Sequence, residues 1–82
     1  MTNKGINTEI VRSFGQIAVG YDFNPSGDPM VSDIKSRFAE IIDDLHQLRL
    51  VAEPDVARML SIAITEAQTA QMWAVKAITW KP

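Results

Sequence analysis

The side chains able to bind phosphates or nucleobases are few, and most lie near predicted helix ends. Arg58 is the only basic residue in the first turns of the last predicted helix, while Lys35 and Arg37 lie on the helix before it. Several copies of such cations, with free backbone N–H groups at a helix start, can hold phosphates. The aromatic residues Phe14, Tyr21 and Phe23 could stack on bases. On composition alone, ordinary surface charges and core aromatics are the simpler interpretation.

Groups suited to catalysis or metal binding are scarcer still. His46 follows Asp43 by three residues, so both lie on one helical face, but one His without a second His or a Cys favours a solvated face over a metal site. Glu66 is expected to face inward beside Ala63 and Ala70, where it could act as an acid or base. A hydrogen bond to another helix or partial exposure of its side chain is the favoured alternative. No glycine-rich phosphate loop is present. We therefore expect no enzyme, no metal and no cofactor.

Composition limits the classes of protein to which the chain can belong. Its 82 residues predict a single domain over 1–82, and 46% hydrophobic with 22% charged residues is typical of a globular fold. The net charge is −2 with scattered basic residues, so no DNA or RNA partner is expected. The absence of cysteine, of an apolar run after the N-terminal methionine and of any long apolar stretch predicts a cytoplasmic protein without a membrane partner.

The elements that must position these side chains are predicted to be helices. Residues 1–28 are expected to form a short N-terminal helix and an arm, with Asn7 as helix cap, Gly15 as helix end and an extended run up to Phe23. The two prolines and the glycine of residues 24–29 break the chain. Long helices are then predicted over 29–51 and 54–79, each beginning at a proline. Their short connection predicts an antiparallel hairpin, and so an all-α fold.

Each long helix carries an apolar stripe, and these stripes predict the packing. The stripe of the second helix follows a heptad spacing: Val31, Ile34, Phe38, Ile41, Leu45 and Leu48. Lys35 and Arg37 lie off it and should meet solvent or a partner. The stripe of the last helix is mostly alanine, which lets another backbone approach closely: Val56, Leu60, Ala63, Ala67, Ala70, Ala74 and Ala77.

A two-helix hairpin has too little surface to bury all of its apolar residues. Six residues are expected to lie off the shared seam: Ile42, Leu50, Met59, Ile62, Met72 and Trp73. Monomers rarely expose such a surface, so we predict a homo-oligomeric helical bundle with Ala70, Met72 and Trp73 in its core. The alternative is a monomer whose N-terminal arm folds over the hairpin.

Two residue patterns resemble those of a known phage family. The first runs through the arm and second helix: Phe23, Asn24, Pro25, Ser26, Val31, Ile34, Lys35, Ala39, Ile42 and Asp43. The second runs along the last helix: Arg58, Ser61, Ala63, Thr65, Ala70, Met72, Trp73 and Ala74. Over residues 23–78 the chain thus resembles the phage anti-CBASS sponges, which are related to the hairpin of Thoeris anti-defence sponges. It departs from them at Gln68 and Thr69, where the family often has two glutamates.

The resemblance implies a non-enzymatic homohexamer that sequesters cyclic oligonucleotide messengers and so silences host CBASS-type defence. It implies a cyclic dinucleotide site between paired subunits, with Lys35 on a phosphate and Phe14 as the stacking aromatic. It also implies a cyclic trinucleotide site where three hairpins converge, with Arg58 and, two turns along, Thr65. The alternative function is a helical oligomerisation or protein-interaction module without a small-molecule ligand, which would bind another helix through the face of Trp73.

Overall fold

The computed structural model describes residues 10–82, which form three helices and no strand. Helix α1 spans Phe14–Ala18, α2 spans Pro29–Leu50 and α3 spans Pro54–Ile78. Side chains near the start of α2 and the end of α3 line one cavity, and Arg49, at the end of α2, donates to Ser61 of α3 at 3.0 Å. The two long helices therefore form the predicted antiparallel hairpin.

The short N-terminal helix lies further along the chain than predicted. The expected cap Asn7 lies outside the described residues, residues 10–13 are not helical, and α1 begins at Phe14 with Ser13 as its cap. The Ser13 hydroxyl accepts from the backbone N–H of Gln16 at 3.1 Å, and the Gln16 side chain accepts from that of Ser13 at 2.8 Å. This reciprocal capping box fixes the helix start, so residues 16–18 are helical instead of extended.

Gly15 was expected to end a helix, yet it lies inside α1, at the point where α1 packs against the backbone of α2. A Cβ atom at this position would come within 2.1 Å of the backbone oxygen of Ala39 in α2. The Gly15 N–H donates to the Asp43 carboxylate at 2.6 Å. Glycine therefore lets α1 lie directly on the backbone of α2.

The buried face of α2 differs from the predicted seam. Lys35, Ala39 and Ile42 are buried, with Ile42 fully so, whereas Ile41 and Leu48 are 52% and 57% exposed. The prediction that Ile42 stays exposed is thus wrong, and Lys35, expected to meet solvent or a partner, is shielded from solvent by the chain itself. The reason is that α1 packs beside α3 on α2, so the buried face of α2 is centred between its two neighbours.

The buried face of α3 is also rotated from the alanine stripe. Ile64 and Gln71, seven residues apart on one face, are the buried residues of this helix. Ala70 is exposed, and so is Glu66, which we had expected to face inward. Because the stripe was chosen by residue type, it omitted Gln71.

The core of the described chain is small and leaves much apolar surface uncovered. Val19, Ala39, Ile42 and Ile64 form its buried centre. Met59, Ile62, Met72, Trp73 and Leu50 remain 46–65% exposed, as predicted. The molecule measures 47 × 45 × 12 Å, so it is about one helix thick. Within residues 10–82, no helix has the length and apolar character needed to span a bilayer.

Candidate ligand-binding site

Lys35 lies where the N-terminal arm crosses α2. Its side chain is only 5% exposed. Its ammonium group donates to the carbonyl oxygen of Gly20 at 2.8 Å and to that of Phe23. Gly20 has a φ of +61°, a conformation in which a side chain would be strained, and it turns the chain toward the lysine. A buried ammonium group thus ties the arm to the hairpin.

The segment from Asn24 to Asp28 is held by its own side chains. The Asn24 amide donates to the Asp28 carbonyl at 3.0 Å and to the Ser32 hydroxyl at 3.1 Å. The Ser26 hydroxyl donates to Asn24 Oδ1 at 2.7 Å and accepts from the Asp28 backbone N–H at 3.1 Å. The Asp28 carboxylate then caps α2 by accepting from the N–H of Met30 at 2.9 Å. This network fixes the loop that borders Lys35.

An ion pair joins the two sides of the turn at Gly20. Arg12 donates from Nε and Nη2 to the two carboxylate oxygens of Asp22, at 2.9 and 2.5 Å. These hydrogen bonds are the main reason that the pKa of Arg12 is raised above its ordinary value. The same guanidinium lies 5.2 Å from the centre of the Tyr21 ring. This ion pair therefore connects the residues before Gly20 to those after it.

Two cavities meet at Lys35. The smaller, of about 250 Å³, lies between the Asn24–Ser26 loop and the end of α3. The larger, of about 430 Å³, lies between α1, the arm and α3. Phe23, Lys35 and Val75 line both cavities. The two cavities thus share one wall, and Lys35 is the charged residue of that wall.

The chemistry of this wall suits an anion that carries an aromatic group. An ammonium group has three N–H bonds, and two of those of Lys35 are donated to carbonyl oxygens, which leaves one for a ligand. The ammonium nitrogen lies 5.7 Å from the centre of the exposed Phe23 ring. A phosphate beside the cation could thus have its base stacked on an aromatic face.

Phe14 lies elsewhere within the chain. Its ring stacks on His46 at 4.0 Å between centroids and 7° between planes, and the guanidinium of Arg49 lies 5.5 Å from its centre. Arg49 also donates to Nδ1 of His46 at 2.9 Å. His46 is eleven residues beyond Lys35, about 16 Å along α2. The structure therefore does not bring Phe14 to Lys35 within one subunit, and His46 contacts Phe14 and Arg49.

Within residues 10–82, no cluster of three or more potential metal ligands occurs.

Arg58 and Thr65 lie on one exposed face of α3, two turns apart. Arg58 forms no ion pair with any residue that the structure describes. The hydroxyl of Thr65 donates to the carbonyl oxygen of Ser61 at 3.2 Å, which leaves its lone pairs available. About 10 Å separates their Cα atoms along the helix axis. Both side chains are accessible to a ligand or a neighbouring subunit.

The three residues predicted for the oligomer core are accessible on the outer side of α3. Trp73 is 64% and Met72 59% exposed, and Ala70 is also exposed. Lys76 lies 5.1 Å from the centre of the Trp73 ring. Met72 also lines the larger cavity. The exposed apolar surface and that cavity are thus continuous.

Some residues of the candidate site were missed from the sequence. Val75 and Gln71 line the cavities but were not predicted as site residues, and Gly20 was not recognised as an acceptor for Lys35. The signal for Gln71 is its spacing: it lies seven residues from both Ile64 and Ile78, on the face that packs inward. No sequence signal indicated that Gly20 would accept from Lys35.

Comparison with known protein families gave a match that covers most of the chain. Residues 15–79, that is 65 of the 82, match the family described as "Acb2/Tad1, hairpin domain". Neither the curated proteins nor the solved structures gave a match. The matched range begins within α1 and ends just after α3, so it contains the hairpin and both cavities.

Proposed function

Because the chain belongs to the Acb2/Tad1 hairpin-domain family of anti-CBASS and anti-Thoeris sponges, we propose that it binds and sequesters cyclic di- and trinucleotide messengers. The family gives the chain the role of a phage anti-defence sponge. In this proposal the messengers are held without being cleaved, in the cytoplasm of the infected host. Effectors of CBASS-type immunity then receive no signal. DNA, RNA and membranes are not partners.

The buried ammonium group of Lys35 is the observation that carries this proposal. It lies at the shared wall of two largely apolar cavities, with one N–H bond left for a phosphate and an aromatic ring beside it. A charge that is held by two backbone carbonyls is preorganised and loses little side-chain freedom when an anion binds. A cyclic dinucleotide carries two phosphates, one of which can meet Lys35, and two bases that can enter the two cavities.

One subunit provides only part of this dinucleotide site. The smaller cavity, at about 250 Å³, lies below the roughly 300–1,000 Å³ of most ligand pockets. Phe23 and Ile17 at the cavity walls are 71% and 70% exposed, so a second subunit is needed to close the site. Within one chain Phe14 is too distant from Lys35, and it would reach a dinucleotide only from a neighbouring subunit.

The second site in this proposal is built from Arg58 and Thr65. When three hairpins converge, three guanidinium groups meet, and they repel each other unless anions lie between them. Each guanidinium can hold a phosphate by two parallel hydrogen bonds, and a cyclic trinucleotide carries three phosphates with matching symmetry. Thr65 lies on the same exposed face and adds a hydroxyl.

The exposed face of α3 supports the assembly that both sites require. Trp73, Met72 and Ala70 are accessible in one chain, and burying such a surface is favourable by roughly 25 cal/mol per Å². We infer a homohexamer, in which two interfaces of different kinds bring the dinucleotide and trinucleotide sites together. The same surface could instead bind a helix of another protein, which is the alternative function.

A thermal-shift series tests the proposal. The protein is melted alone and with cyclic dinucleotides, cyclic trinucleotides and their linear counterparts of the same base composition. A cyclic ligand at a hundredfold excess over its Kd should stabilise the protein by about 2.7 kcal/mol, which is several degrees in Tm. The linear compounds control for general phosphate binding. If no cyclic compound raises Tm more than its linear form, the chain is not a messenger sponge.

A further inference from the structure

Gln71 is a buried polar residue that the proposed sites do not use. It is 4% exposed and lies in the C-terminal half of α3, seven residues before the helix ends at Ile78. Its side chain forms no hydrogen bond with any residue in the range 10–82. Gln68, one turn earlier, provides the contrast, because its amide donates to the carbonyl oxygen of Ala18 at 3.3 Å. A buried amide without a partner is costly, so its retention calls for an explanation.

The position of Gln71 suggests what its partner is. It lines the larger cavity of about 430 Å³, whose other walls include Ile17, Phe23 and Met72 as well as Lys35. The apolar walls can cover the faces of a planar ring, and the cation can hold an attached phosphate. The amide is a donor and an acceptor side by side, which is the pattern needed to pair with the edge of a base.

We propose that the cavity beside Gln71 is a nucleobase subsite and that its amide selects adenine. This inference rests on the proposed binding of cyclic dinucleotides. Oε1 accepts from the exocyclic N6 amino group, while Nε2 donates to N7. Guanine presents two acceptors on the same edge, O6 and N7, so Oε1 would be left without a donor. The adenine lies against Phe23 while its phosphate meets Lys35.

The test uses the substitution Gln71→Leu in the full-length chain. Leucine has a similar volume but no polar group, so affinity for the cyclic dinucleotide of adenosine should fall about 10- to 100-fold. Affinity for the analogue whose purines lack the 6-amino group should change far less. Without ligand, Tm should rise, because an unpartnered buried amide is removed. Gln68→Leu is the matched control: it should lower Tm and leave the adenine preference intact.

The test distinguishes failure of the adenine subsite from failure of the proposed function. Isothermal titration calorimetry on the wild type, Gln71→Leu and Gln68→Leu measures both affinity and base preference. A wild type that binds no cyclic dinucleotide overturns the proposed function and the subsite together. A wild type that binds the adenosine compound, with the same preference in Gln71→Leu, overturns only the subsite. A lower Tm in Gln71→Leu, or a wild-type preference for guanine, also overturns the assignment.

Discussion

Replacing Lys35 with Met tests the link between the buried ammonium group and the arm. The side chain is 5% exposed and donates to the carbonyl oxygens of Gly20 and Phe23. Hydrogen bonds from a charged group contribute about 1.5–3 kcal/mol each. Methionine keeps the length and the apolar stem of the side chain and also avoids the cost of burying a charge. We therefore expect a net loss of about 2–4 kcal/mol.

That loss is a large part of the stability of a chain this short. At about 0.05–0.15 kcal/mol per residue, the free energy of unfolding is roughly 4–12 kcal/mol. A loss of 2–4 kcal/mol should lower Tm by at least about 8 °C. Calorimetric melting measures this loss of stability. Lys35→Met should also lose affinity for cyclic dinucleotides while keeping affinity for cyclic trinucleotides. Titration of the folded variant with both ligands at low temperature measures the two affinities.

Arg37→Met is the matched control for Lys35→Met. Arg37 lies two residues further along α2, is exposed and pairs with the exposed carboxylate of Asp33 at 3.5 Å. Exposed ion pairs of this kind contribute about 0–1 kcal/mol, so this variant should melt close to the wild type and bind both ligands. If Lys35→Met melts like Arg37→Met, the ammonium group does not hold the arm. If Lys35→Met loses both ligands while the assembly stays intact, the two sites are not independent.

Substitutions of Gly15, Trp73 and Arg58 test other parts of the account. Gly15→Ala places a Cβ atom 2.1 Å from the Ala39 oxygen, so calorimetric melting should show a loss of about 1–3 kcal/mol, and unchanged melting would contradict the packing of α1 on α2. Trp73→Ala should cost about 3–5 kcal/mol if the ring is buried between subunits, and light scattering should show dissociation. Trp80→Ala is its control, and wild-type mass in Trp73→Ala would exclude that face from the assembly. Arg58→Glu should abolish trinucleotide binding and Arg58→Lys should weaken it, while both variants bind dinucleotides with near-normal affinity. Calorimetric titration measures these affinities, and an unchanged trinucleotide affinity in Arg58→Glu would remove this residue from the site.

The helices of the hairpin could be predicted because local signals define them. Asp28 with Pro29 and Glu53 with Pro54 combine a cap position with a proline at the first helical position, and α2 and α3 begin there. These signals depend only on neighbouring residues, so they can be read without knowing the tertiary contacts.

Which face of each helix is buried could not be read in the same way. A heptad pattern of apolar residues predicts a seam, but the buried face of α2 is decided by two neighbours, α1 and α3. Lys35 is buried because two carbonyl groups of the arm accept from it, and those carbonyls carry no side-chain signature. The same limit explains why Gln71 was overlooked: apolar periodicity alone gives no reason to place an amide inside.

The most direct test of the central claim is a capture-and-release measurement on the wild-type protein. The protein is mixed with a limiting amount of a cyclic dinucleotide, the free ligand is separated by ultrafiltration, and the retained protein is then denatured by heat. The account predicts that the cyclic compound disappears from the filtrate and is recovered chemically unchanged after denaturation. A ligand that stays in the filtrate, or one that is recovered as a linear product, would contradict a protein that binds and holds its messenger.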